Sequence, residues 1–368
     1  MKSDEFQKSL SKEFEFFSQS VKKPNIILVG GTGVGKSSLI NECFGSELAK
    51  IGIGKPVTQA IESFSCESTP VVLFDTKGYE VGSEREKEFV ADVISYAAKS
   101  LSTSEPIHLA WHCIQASGGR ITQFDIEAVR KISSYGIPVA VVITKAEMFS
   151  DDESKDFIQI IRSQLPKIPV FETSTRFKQR EWQLNELCEW SLECLPESLR
   201  VAFAASQKQS LKIKRAEAYK AIKQHIASSV TVSFTPIPVS DAPLLLANQA
   251  AMVARILFIY NLQHISSALN SAMLTPIVGR IISSSGVWAA GTLLKIIPGV
   301  GTILGGVINA SVAGSITYAI GVATVELCEL FIEKNLEGVT EPLTEFVKTA
   351  EPFFESQFKK HYESKPGV

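Results

Sequence analysis

Residues 30–37 read Gly-Gly-Thr-Gly-Val-Gly-Lys-Ser, directly after the apolar run 25–29 and directly before a segment of helical character. This is the pattern G-x-x-x-x-G-K-S in the strand-then-helix setting that gives it meaning. A polyphosphate is wrapped by backbone N–H groups, and residues without a side chain let the chain approach it closely. The sequence therefore predicts a site for a nucleoside triphosphate. The predicted nucleotide contacts in this loop are Gly30, Gly31, Thr32, Gly33, Val34, Gly35, Lys36, Ser37 and Ser38.

Two of these residues, and the helix that begins with them, have distinct chemical roles. Lys36 would place its positive charge on the β- and γ-phosphates, and Ser37 would give its hydroxyl to Mg²⁺. The helix that begins here offers N–H groups and the positive end of its dipole.

A second strand, 71–74, leads into Asp75, and Gly78 follows three residues later. A carboxylate at the tip of a strand can hold Mg²⁺ through water, and a glycine N–H can bond the γ-phosphate. Thr58 lies between the two phosphate motifs, where it could close over Mg²⁺. We therefore predict catalytic roles for Thr58, Asp75 and Gly78, with Thr58 and Asp75 joining Ser37 as metal ligands.

Two further apolar strands are each followed by polar residues. The strand 137–143 leads into Thr144-Lys145-Ala146-Glu147, and the strand 168–171 leads into Glu172-Thr173-Ser174. With all five motifs in order over residues 25 to about 195, the chain resembles a small-GTPase-type G domain, closest to the Era-like bacterial branch. The resemblance implies an α/β P-loop fold with a mostly parallel sheet, GTP or GDP as ligand and Mg²⁺ as cofactor. It also implies base recognition by Thr144, Lys145 and Glu147, supported by Thr173 and Ser174.

The chain departs from this family in two places. The base loop is normally Asn-Lys-x-Asp, and here Thr144 and Glu147 replace its first and last residues. Glu147 can still accept from guanine N1–H and N2–H, so guanine is the expected base and adenine the alternative. Tyr79 occupies the position of the water-orienting Gln of Ras-like proteins, which predicts slow hydrolysis. Arg120 is the candidate charge stabiliser, with a solvated surface arginine as the alternative.

Composition restricts the class of partner. The net charge is −2 and the sequence pI about 6.3, without a dense basic run, so no nucleic-acid partner is expected.

The six cysteines form no C-x-x-C pair, which is typical of reduced thiols in a cytoplasmic protein. His108 and His112 lack further ligands at metal-binding spacing, and packing is the expected role for both.

We divide the chain into an amphipathic N-terminal helix (1–24), the G domain (25–195) and an all-α, apolar helical domain (196–368). The last of these resembles, over roughly 205–335, the helical domain of unknown function found behind G domains in some bacterial GTPases. Its first helix, 208–223, is rich in Lys and Arg and is either a solvated face or a contact for anionic headgroups.

The segment 281–325 carries a single charge, at Lys295, and is long enough to span a bilayer. Gly306, Ala310 and Gly314 form a ladder of small residues that suits close helix packing in a membrane or in a soluble bundle. A buried helical hairpin with a turn at 298–301 is favoured over a permanent span. The charged stretch 326–368 is expected to pack beside the N-terminal helix.

The resulting hypothesis is a GTP-binding and GTP-hydrolysing switch with slow basal turnover. Its helical domain would mediate self-association, as a nucleotide-dependent homodimer, or contact with the inner face of an anionic membrane. The alternatives are a GTP-dependent ribosome or RNA assembly factor, and an ATP-binding or non-hydrolysing nucleotide scaffold.

Overall fold

The structure is a computed structural model of the chain. It describes residues 12–13, 15–16, 19–45, 55–56, 61–66, 69–76, 84–103, 106–118, 120–175, 182–207, 210–232, 241–262, 310–336, 352–353, 356–361 and 364. The chain divides into two compact units, Val21–Ser210 and the combination of Met1–Ser20 with Leu211–Val368.

The first unit is built on a seven-stranded sheet. Its strands are β1 (Asn25–Val29), β2 (Lys55–Pro56), β3 (Ile61–Cys66), β4 (Thr69–Thr76), β5 (Leu109–Gln115), β6 (Val139–Thr144) and β7 (Val170–Glu172). The order across the sheet is β2-β3-β4-β1-β5-β6-β7. The strands from β4 to β7 in this order run parallel, while β3 is antiparallel to both β2 and β4. Strands buried on both faces carry continuous apolar runs, as β1 and β6 do. The predicted mostly parallel sheet is confirmed.

The described helices of this unit connect the strands and cover the sheet. They are α1 (Lys36–Phe44), α2 (Glu84–Ser100), α3 (Gln123–Ser134), α4 (Asp151–Gln164), α5 (Leu184–Cys194) and α6 (Glu197–Ser206). Capping boxes at Thr122 and Ser150 fix the starts of α3 and α4. Because every parallel strand ends at the same edge, the loops that follow β1, β5, β6 and β7 meet there.

Helix α6 lies in the first unit, although the sequence-based boundary at 195/196 places it in the helical domain. It packs against β4, and Phe203 meets Phe44 edge-on with ring centroids 6.1 Å apart. Phe44 in turn stacks on Trp111 at 5.8 Å. This aromatic contact gives α6 a core to join, so the structural boundary falls at 210/211.

His112 in β5 and His108, directly before this strand, both have structural partners. His112 is buried and its Nε2 lies 2.8 Å from Asp125 Oδ1, the residue that also caps α3. His108 Nδ1 accepts the backbone N–H of Asn25 at 3.0 Å. Both side chains therefore hold β5 to its surroundings.

The second unit contains α7 (Leu211–Val232), α8 (Asp241–Ile259) and α9 (Ala310–Leu336), which all pack against one another. The expected all-helical character is confirmed for the described residues. At one end of this bundle, Asn248 Nδ2 donates to Ser229 Oγ at 2.7 Å, and Ser229 Oγ lies 3.0 Å from Thr317 Oγ1. The late part of α7 thus meets the early parts of α8 and α9.

At the other end, Glu329 of α9 joins α7 and the residue that directly follows α8. Its carboxylate accepts two bonds from Arg215, including Nε at 2.8 Å, and a third from the Tyr260 hydroxyl at 2.8 Å. Arg215 lies early in α7, whereas Tyr260 directly follows α8 and Glu329 lies late in α9. Helices α8 and α9 therefore run parallel to each other and antiparallel to α7. The end of α8 and the start of α9 therefore lie roughly 28 Å apart along the bundle at 1.5 Å per residue.

The basic residues of α7 do not all face solvent. Lys214 is fully buried, donates Nζ to Ile259 O at 2.9 Å, and has its pKa lowered to about 7 by burial. Arg215 pairs with Glu329, and Lys220 pairs with Glu217. Lys212 and Lys223 are exposed, while Lys208 lies outside the described residues. The prediction of a lipid-facing basic helix is wrong for Lys214, and two of its other charges are already neutralised by carboxylates.

The stretch Gly314–Glu333 of α9 is long and apolar enough to cross a membrane, and 78% of it is buried inside the unit. Close packing explains that burial: a Cβ on Gly321 would lie 2.6 Å from Ile222 Cγ1. His361, from the C-terminal stretch, also reaches α9, with Nε2 3.0 Å from Glu326 Oε1. The expected hairpin lies mainly outside the described residues, including 281–309 with its turn and Gly306.

Candidate functional site

The loop from β1 to α1 has the backbone of a phosphate cradle. Gly30, Gly33 and Gly35 have φ values of +150°, +74° and +106°, a region that side-chain-bearing residues rarely adopt. A Cβ on Gly30 would lie 2.3 Å from the carbonyl oxygen of Cys113 in β5. Glycine at position 30 is therefore required by conformation and by space.

Lys36 is buried and folds back over this loop. Its Nζ donates to Gly30 O at 2.9 Å and to Gly31 O at 3.1 Å. Helix α1 begins here without a side-chain cap and without an acidic residue in its first turn, where Ser37 and Ser38 are exposed. A buried cation at an uncapped helix N-terminus fits an anionic ligand.

Thr144 ends β6 and ties the base loop to the phosphate loop. Its hydroxyl donates to Val34 O, and the same oxygen lies 3.3 Å from Ile114 O. Thr144 is only 4% exposed. The two loops, 110 positions apart in sequence, are thus held together by a buried bond.

Lys145 makes a second connection between the same loops. It adopts a left-handed conformation, with φ 53°, and its Nζ donates to Gly33 O at 2.6 Å and to Gln115 Oε1 at 3.0 Å. Sequence reasoning missed Gln115. Its position at the end of a parallel strand beside β6 is the signal that could have indicated it, because such strand ends line the site.

The loop after β7 supports the base loop through its backbone. Ala146 N donates to Thr173 O at 3.1 Å, and Thr173 N donates to Ile143 O at 2.7 Å. The Thr173 hydroxyl also donates to Ile143 O, at 3.2 Å. Ser174 follows at the surface of this loop and is half-buried.

A small, partly open pocket lies between these loops. Its lining residues are Gly35, Ser38, Leu39, Thr144, Lys145, Glu147, Thr173 and Thr175. Glu147 Oε2 is buried there and has no hydrogen-bond partner among the described residues. A buried carboxylate oxygen without a donor is costly, so this atom is suited to accept from a ligand.

The remaining predicted residues are placed only in part. Asp75 lies near the end of β4, where its backbone pairs with Leu28 of β1 and so borders the phosphate loop. Thr58, Gly78 and Tyr79 lie outside the described residues. Arg120 is exposed between β5 and α3, two residues beyond the turn Ala116–Gly118, which packs against the turn Ala146–Met148. The catalytic roles of these residues stay predictions.

Comparison with known proteins identifies both parts of the chain. The family model described as 50S ribosome-binding GTPase matches residues 25–145. A probable GTP-binding protein EngB of Aquifex aeolicus is 32% identical over 133 residues, which cover 35% of this chain and 70% of that protein. The chain belongs to the Era-like GTP-binding proteins. In this Era-like protein, the domain of unknown function DUF697 matches residues 200–350, behind the G domain.

Two other relatives are matched over smaller shares of their length. Magnetosome membrane protein 22 of Magnetospirillum gryphiswaldense is 32% identical over 101 residues, 27% of this chain and 51% of that protein. Cell division control protein 10 of Saccharomyces cerevisiae is 24% identical over 211 residues, 50% of this chain and 61% of that protein. The Era-like chain therefore spans between half and two thirds of these two relatives.

Proposed function

We propose that the protein is a guanine-nucleotide switch that binds and slowly hydrolyses GTP. The observation that carries the proposal is the buried, unpartnered Oε2 of Glu147 in a pocket continuous with the phosphate loop. A carboxylate is an acceptor only, and guanine offers two donors, N1–H and N2–H, on one edge. Adenine presents a ring acceptor, N1, on the corresponding edge, which would face the carboxylate unfavourably.

The residues that would hold the phosphates are the cradle glycines and Lys36, whose buried charge already lies against the loop. Ser37, Thr58 and Asp75 would hold Mg²⁺, which when bound offsets negative charge on the β- and γ-phosphate oxygens. The exposed first-turn position of Ser37 and the placement of Asp75 beside β1 support this assignment.

One binding experiment tests the nucleotide. We expect labelled GDP and GTP to bind in preference to ATP. We expect Glu147→Ala to weaken GTP binding about tenfold or more and to reduce the preference for GTP over ATP, because a bidentate base contact is worth about 1–3 kcal/mol of discrimination in base reading. Glu127→Ala is the matched control, because Glu127 is an exposed carboxylate on α3. Equal competition by ATP and GTP in the unaltered protein would refute guanine selectivity.

The same experiment includes anionic vesicles to test the helical unit. We propose that this unit mediates self-association or membrane contact. Its long apolar helix and the similarity to a protein named as a magnetosome membrane protein support membrane contact, whereas the burial of that helix inside its own chain argues against a permanent span. Co-sedimentation that increases with a non-hydrolysable GTP analogue would favour the membrane. A folded, nucleotide-loaded chain that never sediments would leave self-association.

Slow hydrolysis is expected because Tyr79 stands at the position of the water-orienting Gln of Ras-like proteins. A second protomer, or Arg120, would then have to supply the missing group, and a supplied arginine raises kcat about 10³-fold or more. We expect the GTP hydrolysis rate per protomer to rise with protein concentration, and to lose that rise in Arg120→Ala if this arginine is the group. A rapid rate independent of protein concentration would contradict the dependence on self-association.

A further inference from the structure

The helical segment 356–361, near the C-terminus, lies on the apolar helix α9. His361 Nε2 is 3.0 Å from Glu326 Oε1, and the imidazole meets the ring of Tyr318 edge-on, with ring centroids 6.4 Å apart. We infer that segment 356–361 is a strap that keeps α9 away from lipid and is drawn off by an anionic lipid surface. The inference rests on the membrane contact in the proposed function, and it names the element that controls this contact.

The strap lies on a partly open side of α9. Tyr318 and Glu326 are half-buried, whereas Val322 and Val325 between them are at most 1% exposed. Tyr318 and Glu326 are eight residues apart, which separates their backbones by about 12 Å along the helix at 1.5 Å per residue. Because His361 contacts both side chains, it bridges about two turns of α9.

The strap has two chemically different sides. Phe358 is 5% exposed and His361 is half-buried, and residues three apart share one side of a helix. Lys359 and Lys360 fall on the opposite side and are both exposed, with Lys360 Nζ 3.4 Å from Gln357 Oε1 of the same segment. The sequence 356–365 holds three lysines and one glutamate. The strap therefore turns its rings towards the protein and its positive charge towards solvent.

The hold of the strap on Glu326 is incomplete. Oε2 of Glu326 is buried and has no hydrogen-bond partner among the described residues. The carboxylate of Glu329, by contrast, accepts from both Arg215 and Tyr260. Moving the strap away would let water reach Glu326 Oε2, and the recovered hydration offsets part of the cost of losing the bond to His361. The contact at Glu326 is thus suited to open, whereas the contact at Glu329 is suited to stay closed.

The exposed lysines indicate the chemistry of the partner. A basic residue near an anionic lipid surface favours binding by about fivefold. Lys359 and Lys360 would therefore draw the strap towards anionic headgroups, and neutral headgroups offer no such attraction. Removal of the strap would then uncover part of the apolar stretch Gly314–Glu333 at an anionic membrane.

Two measurements on the full chain test the strap. They are amide hydrogen exchange over residues 314–333, and co-sedimentation with vesicles of phosphatidylcholine alone or mixed with phosphatidylglycerol. His361→Ala removes the bond to Glu326 and the contact with Tyr318. We expect about tenfold faster exchange without vesicles and about tenfold stronger binding to the anionic vesicles. Ser364→Ala, at an exposed position one turn later, is the matched control and should behave like the parent.

A second variant tests the charge of the strap. Lys359→Gln combined with Lys360→Gln should leave exchange without vesicles at the parent level, because both side chains are exposed. The same variant should bind anionic vesicles about tenfold or more weakly than the parent, and should lose the vesicle-induced acceleration of exchange. Vesicles of phosphatidylcholine alone should accelerate exchange in neither the parent nor this variant.

The outcomes separate failure of the strap from failure of the membrane contact. Unchanged exchange in a folded His361→Ala protein would overturn the strap, even where the parent binds vesicles. A parent-like response of the double lysine variant to anionic vesicles would overturn its release by anionic lipid. Faster exchange in His361→Ala, with no vesicle binding by any of the proteins, would refute the membrane contact of the proposed function and with it the release by lipid.

Discussion

Lys36→Ala is expected to reduce the affinity for GTP by about a hundredfold, because hydrogen bonds to a charged group are each worth about 1.5–3 kcal/mol and this cation is buried in the cradle. Lys36 also donates to Gly30 O and Gly31 O, so the variant loses both a phosphate partner and the bonds that close the loop. The measurement is competition with labelled GDP at fixed Mg²⁺.

Lys155→Ala is the matched control for this variant. Lys155 lies on α4 with its side chain 75% exposed, so its removal takes away one positive charge without touching the cradle. Thermal unfolding of both variants checks that the first unit remains folded. GTP affinity equal to that of the parent in a folded Lys36→Ala protein would refute the assignment of this loop to phosphate binding.

The phosphate loop could be predicted from sequence because its chemistry is local. Three glycines, a lysine and a serine at fixed spacing, between an apolar run and a helix, leave few other interpretations. The strand β3 was missed for the opposite reason. Its sequence, Ile-Glu-Ser-Phe-Ser-Cys, does not alternate regularly between apolar and polar residues, so it lacks a clear period of two, and pairing with β4 decides its conformation.

The base side of the site was only partly predictable. The resemblance indicated Thr144, Lys145 and Glu147, but it did not show how a threonine would replace an asparagine. The bond from Thr144 to Val34 connects residues 110 positions apart, and the one from Lys145 to Gln115 depends on β5 lying beside β6. Such contacts follow from strand order, which no local pattern contains.

In the helical unit, the sequence likewise did not show which charged side chains are paired or buried. Its first helix was interpreted from the number of basic residues, whereas the structure pairs Arg215 with a carboxylate 114 positions away. Helix α7 has one side towards α8 and α9, and a lysine on that side can be buried against a carbonyl, as Lys214 is. The sequence therefore showed how many charges the helix carries, and packing decided which of them reach solvent.

Glu329→Ala is expected to destabilise the helical unit by about 2 kcal/mol or more. The carboxylate is 4% exposed and accepts bonds from Arg215 and Tyr260, so it links α7, the end of α8 and α9. Burial, followed by the charge of Glu329, raises the pKa of the Tyr260 phenol, which therefore stays a donor. Breaking a fully buried pair costs about 3–5 kcal/mol, and we lower that figure because the Arg215 side chain is 60% exposed and can be hydrated. Amide hydrogen exchange over 211–232 and 310–336 would report the loss.

Glu333→Ala is the control, since Glu333 lies one turn later on the same helix and is exposed.

The comparison of these two variants also tests the membrane hypothesis. If Glu329 holds the bundle closed, Glu329→Ala should accelerate amide hydrogen exchange in α7 and α9 together. The variant should also bind anionic vesicles more strongly, because the apolar stretch Gly314–Glu333 becomes accessible to lipid. Exchange that is unchanged in Glu329→Ala would show that this carboxylate does not hold the bundle shut. Faster exchange without added vesicle binding would mean that the apolar helix serves protein packing, and it would contradict contact between this helix and lipid.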